Sequence, residues 1–533
     1  MATRKAVGLL ERSAGLPDTF WYSTKRRLLG PPLVNQDLGE QRLSNPLALG
    51  VLSPDGISSS AYGTEEILIA LVPAVGLAAF SLLLPMTLVV LLVMVLVLLS
   101  YREIVMVYIR PGGSYVVARE NFGPRIAQVC AVALLIDYVV TVAVQTSAGT
   151  AAVASAIPAL GPYKLEITVG VVVLMAFGNL RGLKEAGRSF AVPTYLFSAA
   201  VILMIVVGLI RDLTGSLGKL DPATLHGAYH LGSSTEGLIS GAMIFTLLRA
   251  FANGGASLTG IEAVSDAVGA FRPPEGRNAR KVLMTEGAIL GILIAGISWL
   301  AFRTHATPHT AGYPTVLAQE AQVVFGSGFF GKAFFYLLQL ATMLILYTGA
   351  NTSFNGFPFL TSYVAGDSFL PRWLLKRGHR LVFSNAIILL TIVSVALIII
   401  KDADVNSLVP LYAIGVFTAF SMAGFGMAKY QSKHRTPGWR RRQVINFSAG
   451  VTTALVVAVF AIVKFTEGAW VVVVLFAILV PALIRMNREY AAEAAYEGEG
   501  EGEGEAGCTA GGGSGDGIGS GGRIWERGGV PTT

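Results

Sequence analysis

From Leu82 to Leu99 the chain carries no charged residue, and comparable stretches recur from Val192 to Leu209 and from Ala386 to Ile400. Runs approaching about 20 apolar residues match the length at which one helix crosses a bilayer core. Lipid or an exceptionally large core could hide them. With 53% of the 533 residues hydrophobic and only 14% charged, a soluble fold would leave too much apolar surface in water. Helices satisfy their own backbone hydrogen bonds in lipid. The expected fold is therefore all-α: a polytopic membrane protein with about 12 transmembrane helices.

Hydropathy places spans near 47–72, 79–107, 126–157, 165–181 and 186–211, then near 235–269, 281–302, 329–356, 382–400 and 406–428, with two more near 443–465 and 468–486. Every second loop is basic. Arg102, Arg110, Arg119 and Arg125 form one group, Arg181, Lys184 and Arg188 the next, and Arg272, Arg277, Arg280 and Lys281 a third. Arg372, Lys376, Arg377 and Arg380 continue the series, followed by Lys429, Lys433, Arg435, Arg440, Arg441 and Arg442. The positive-inside rule then puts both termini in the cytoplasm, and the plasma (inner) membrane is the expected location. It also accounts for the net charge of +7, which lies in loops rather than on a stripe that nucleic acid would need. Residues 1–45 hold Arg4, Lys5, Arg12, Lys25, Arg26, Arg27 and Arg42 without the apolar run of a secretory signal, so a cytoplasmic head is expected. Beyond Arg488 glutamate and glycine alternate and then glycine and serine dominate, the composition of a disordered tail over 489–533. The transporter domain is expected over 46–488. Cys130 and Cys508 are too few for a disulfide framework or a thiolate metal site.

Two spans carry their own interruptions. Ser53-Pro54-Asp55-Gly56-Ile57-Ser58-Ser59-Ser60-Ala61-Tyr62-Gly63 breaks the first, and Ala252-Asn253-Gly254-Gly255-Ala256-Ser257-Leu258-Thr259-Gly260 breaks the sixth. Each is the first span of a group of five. Unwound backbone at membrane depth must be buried in protein or line a wet cavity. Matching interruptions in two halves point to a midplane binding site in inverted-repeat transporters, whose carbonyls and half-helix ends serve as ligands. The alternative is that the small residues only let helices pack closely. No G-x-x-x-x-G-K-[ST] loop is present to support ATP-driven pumping.

Asp137 lies about 18 Å along its helix from Arg125, near the bilayer centre, where a charged side chain costs roughly 2.5–3.5 kcal/mol. Thr141 and Gln145 follow at four-residue steps and share its face. Glu262 stands just past the second break, and Asp55 lies inside the first. Asp137 and Glu262 are candidate ion or proton carriers; the alternative pairs them with a cation such as Arg249. Asp55 could instead cap a half-helix. Glu65, Glu66 and Asp266 are read as structural acids at half-helix flanks. Tyr62 and Tyr138 border the cluster, either as core residues or as part of the site. His226, His230, His305 and His309 fall in loops without a spaced carboxylate partner, which disfavours metal binding.

These residues resemble the APC superfamily of amino acid, polyamine and cation transporters. Gly39-Glu40-Gln41-Arg42-Leu43, the Ser-x-Asp-x-x-Ser-Ser-x-Ala-Tyr-Gly-Thr-Glu run at 53–65, Pro111-Gly112-Gly113-Ser114-Tyr115, Asp137-Tyr138-x-x-Thr-Val-Ala-Val, Leu258-Thr259-Gly260-Ile261-Glu262-Ala263 and Pro410-Leu411-Tyr412-Ala413 are similar to the KimA-type potassium-proton symporters. The resemblance covers most of residues 25–486. It implies a LeuT-type 5+5 inverted repeat with helices 1 and 6 broken, the repeats spanning about 46–212 and 235–430, followed by two extra helices over 443–486. It implies a potassium site made by Asp55, Tyr62, Asp137, Thr141, Thr259 and Glu262, with Tyr138 and Tyr412 near the pathway. Gln145 replaces a serine of the family's site and stays a candidate ligand. The family prototype also has a folded cytoplasmic domain that binds a regulatory cyclic dinucleotide, whereas this tail is rich in glycine and glutamate.

The leading expectation is a secondary transporter performing proton-coupled potassium uptake. Asp137, Thr141, Thr259 and Glu262 would replace the ion's hydration shell, and Asp137 and Glu262 would carry the proton. The alternative is an amino acid-proton symporter on the same fold. An enzyme is not expected, since neither H-E-x-x-H nor G-x-S-x-G occurs. No cofactor is expected beyond the transported ions. The expected partners are the bilayer and a small cation or amino acid, without nucleic acid, and a homodimer stays open.

Overall fold

The computed structural model describes residues 42–110, 112–181, 187–233, 240–376 and 383–508. Residues 1–41 of the N-terminal segment, Pro111, Lys184, Arg377, Arg380 and the tail from 509 lie outside the described residues. Among the described residues, nine helices are long and apolar enough to cross a membrane. Ser384–Ile400 is a shorter apolar helix, and broken segments over 45–75 and 241–266 bring the total to twelve spans, nine plus one plus two.

Numbered along the chain, span 1 is split into Asn45–Leu52, Pro54–Ser58 and Ser60–Val75. Spans 2 to 5 are Ala78–Val107, Ala127–Ala156, Lys164–Leu180 and Gly187–Leu213. Span 6 comprises Gly241–Gly255 and, past its break, Ala263–Asp266. Spans 7 to 10 are Glu275–Thr304, Phe329–Gly366, Ser384–Ile400 and Val405–Lys433. Span 11 is Trp439–Val463, and span 12 begins the helix Ala469–Cys508.

Packing repeats between the two groups of five. Span 1 packs on 6, 2 on 7, 3 on 8 and 4 on 9; span 5 lies against 8 as span 10 lies against 3. Spans 3 and 10 form the centre, with 78% and 83% of their most apolar stretches buried, against 22% for span 4 and 17% for span 12. The four-residue face of Asp137, Thr141 and Gln145 thus points into protein rather than lipid. Thr64 and Thr87 both bond the Ser298 hydroxyl at 2.9 Å, and Asn253 donates to the Glu66 carbonyl at 2.8 Å. These contacts tie spans 1, 2, 6 and 7 into one bundle.

The interruptions differ from the sequence expectation in extent. Span 1 is broken at Ser53 and Ser59, and helix resumes at Ser60. Its three consecutive serines bond back by one turn: Ser58 to the Asp55 carbonyl at 3.0 Å, Ser59 to Gly56 at 2.6 Å and Ser60 to Ile57 at 2.7 Å. The carbonyls expected as ligands therefore already accept serine hydroxyls, which keeps the break short. In span 6, residues 252–255 are helical and the chain becomes extended only at Thr259. Gly254 there serves packing, since a Cβ would come within 2.7 Å of Ile67. At this position close packing is the observed role.

The last helix continues to Cys508, past residue 489 where the sequence suggests that disorder begins. Ala491 and Ala492 follow directly on the membrane span and favour helix strongly. The helix therefore propagates beyond the last apolar turn without needing a new nucleus.

Candidate functional site

Gly260 sets the geometry of the site. Its φ of +84° lies in the left-handed region, and a Cβ would sit 2.4 Å from the Gly56 nitrogen and 2.8 Å from the Asp55 carboxyl carbon. Glycine is required twice over, for conformation and for space. The two breaks consequently touch, and Ser59 shares its hydroxyl between the Gly56 and Ser257 carbonyls at 2.6 Å each.

Span 3 closes the site from the opposite side. Gln145 donates Nε2 to the Asp55 carboxylate at 2.7 Å and to its carbonyl at 3.2 Å, while its Oε1 accepts from Ser58 at 2.8 Å. Asp55 is therefore clamped by the amide within the first turn of its short helix, and the N-cap residues of the two half-helices are Ser53 and Ser59. Thr141 lies 3.4 Å from the Asp137 carboxylate, and the Asp137 and Glu262 carboxyls adjoin one another. Arg249 pairs with Glu467 at 2.5 Å instead of with either acid. Thr259, Tyr62 and Tyr412 gather beside Asp55. All three acids are at least nine-tenths buried.

The oxygens of this cluster are incompletely used. The Tyr62 and Tyr412 hydroxyls and Glu262 Oε2 are buried without a hydrogen-bond partner among the described residues. Buried polar atoms are partnered in the great majority of cases, so several orphans around one point mark a place built for something else.

A cavity of about 290 Å³ leads to the cluster. Asp55 and Glu262 lie at its head, Tyr138, Asp266 and Thr352 along its wall, and Gly112 and Ala270 towards the end of the molecule that carries the basic loops. Tyr138 donates to Asp266 at 2.8 Å across this passage, so Asp266, read from sequence as structural, belongs to its lining. Sequence reasoning missed Ser58, Thr352 and Glu286. Glu286 is fully buried in span 7, both carboxyl oxygens lack a hydrogen-bond partner among the described residues, and Oε1 lies 2.4 Å from where a Cβ on Gly56 would sit. Its signal was present: it is an acid three turns into an apolar helix.

A helical membrane bundle whose broken spans meet around buried acids below a cavity has the architecture of a multi-pass transporter. Residues 56–486 match the family model described as amino acid permease. The chain is 39% identical over 473 residues to the protein described as "Potassium transporter KimA" of Bacillus subtilis (strain 168), a match covering 89% of this chain and 75% of the relative. The chain belongs to the amino acid permease family of the APC superfamily.

Proposed function

We propose that this transporter takes up a monovalent cation, potassium above all, together with protons, at the meeting point of spans 1, 3, 6 and 10. The observation that carries this reading is the set of buried oxygens without partners, Tyr62, Tyr412 and Glu262 Oε2, beside the carboxyls of Asp55 and Asp137. Oxygen atoms in that density replace the hydration shell of a hard monovalent ion. The Bacillus relative's description as a potassium transporter supports the same cargo.

Proton coupling follows from two carboxyls in contact. Asp137 and Glu262 cannot both be ionised at such proximity without a cation between them, so loading an ion and releasing a proton become alternatives for one pair. Thr141 and Thr259 supply neutral oxygens, and Gln145 holds Asp55 in place. Tyr138 and Tyr412 flank the route. Rocking of the bundle of spans 1, 2, 6 and 7 against spans 3 and 8 would open the site to either side in turn. Termini in the cytoplasm and a location in the plasma membrane complete the proposal, on the strength of the basic loops.

The test is growth of potassium-uptake-deficient cells on limiting potassium, followed by flux into proteoliposomes with an imposed pH gradient. Asp137→Asn and Glu262→Gln are each expected to abolish accumulation while inserting normally. Wild-type growth of both variants would overturn the reading. Amino acid symport, which the family description favours, would place a substrate carboxylate at the half-helix ends, where Asp55 and Glu262 repel it, although the same acids could hold the substrate's amine. Competition for uptake between potassium and a panel of amino acids separates the two.

A further inference from the structure

Beyond Tyr62, on the side away from the large cavity, span 1 carries a second pair of acids. Tyr62, Glu65 and Glu66 border a separate cavity of about 40 Å³, with Lys164, Asp404 and Asn406 also on its wall. Glu66 is 1% exposed, and its Oε2 has no hydrogen-bond partner among the described residues. Its neighbours do not supply one. Asn253 bonds the Glu66 main-chain carbonyl at 2.8 Å, and nearby Lys464 is held by Glu467 at 2.5 Å. Glu65 is already engaged, accepting from the Val316 amide at 3.3 Å. Asp404 accepts from the Ser407 amide at 3.1 Å and the Ser407 hydroxyl at 2.5 Å, both through Oδ2, which leaves Oδ1 free of these bonds.

Lys464 and Lys164 offset part of the charge of Glu65, Glu66, Asp404 and Glu467, but the acids outnumber them, so a carboxylate with an unbonded oxygen at this wall favours a further cation. The space selects which kind. A water needs roughly 10–15 Å³ measured this way, so the cavity accommodates an ion with a few waters and excludes an amino acid. We propose that Glu66, assisted by Asp404 and Asn406, forms a vestibular site that captures a partly dehydrated monovalent cation before it passes Tyr62 to the central cluster. The inference rests on the cation-uptake reading above and assigns the entrance that reading lacks. Tyr62 stands between the two, lining this cavity and adjoining Asp55.

Rubidium uptake by the full chain in proteoliposomes tests it, comparing wild type, Glu66→Gln and Glu66→Asp. A capture site contributes to KM and not to the step after loading, so Glu66→Gln should raise KM for rubidium about tenfold with the maximal rate within about twofold, and Glu66→Asp should fall between. A KM in Glu66→Gln within about twofold of wild type would overturn the site. If that variant fails to insert, Glu66→Asp decides the matter, and an unchanged KM counts against the proposal. Failure of wild type to carry rubidium while it carries an amino acid would instead sink the cation reading itself.

Discussion

Gln145 is the residue at which this chain departs most visibly from the serine that its resemblance to the KimA-type symporters implies. The amide spans Asp55 and Ser58 at once, a reach that serine lacks. Gln145→Leu removes donor and acceptor together, leaving two buried groups unpaired at about 1–3 kcal/mol each. Uptake and detergent melting temperature should both fall. Gln145→Ser should retain transport, because water or the ion can occupy the vacated volume; a dead Gln145→Ser with an unaltered melting temperature would show that the amide itself is a ligand. The face Asp137, Thr141, Gln145 was legible in the sequence since four-residue spacing in one helix fixes it. The Glu286 contact with Gly56 was not, because it depends on how spans 1 and 7 rotate against each other across more than two hundred residues of chain. Ser58 to Ser60 read only as small polar residues, although each hydroxyl satisfies a carbonyl that the break exposes.

At the level of the helix, the two broken spans obey different rules. Span 1 keeps its interruption short by bonding serines to its own backbone, whereas span 6 turns on Gly260 in the left-handed region. Alanine there meets a backbone penalty of roughly 1–2 kcal/mol and a clash with Gly56. Gly260→Ala should therefore abolish uptake even though no ligand is altered, and Gly254→Ala should mainly lower stability by crowding Ile67. Comparable uptake in both variants would contradict this division of roles. Span number and approximate ends were readable because hydropathy runs over many residues and averages out local detail. The onset of the second break was misplaced by several residues, since glycine marks close packing and chain reversal with the same letter. Charge spacing could not distinguish Asp266 as a capping acid from Asp266 as a passage residue bonded to Tyr138.

For the whole molecule, alternation of basic loops predicts which end faces the cytoplasm. In a chain with Cys130 and Cys508 replaced by serine, Ala223→Cys should react with a membrane-impermeant maleimide added outside intact cells, and Arg440→Cys only after permeabilisation. The reverse pattern would invert the topology. The helix running to Cys508 was not foreseen, because composition weighs glycine and glutamate evenly and takes no account of the span already wound before them. The duplicated fold implied by the resemblance is visible in the contacts, where spans 1 to 4 pack on spans 6 to 9 and spans 5 and 10 take equivalent places against 8 and 3. The seam between the halves is broad, running along spans 1 and 6, 2 and 7, 3 and 8, and 4 and 9. One hydroxyl, that of Ser59, is stitched to carbonyls of both interrupted helices, at the weakest turn of each. Straightening either break costs a bond that it shares with the other, so the two form a hinge with two leaves instead of two independent elbows.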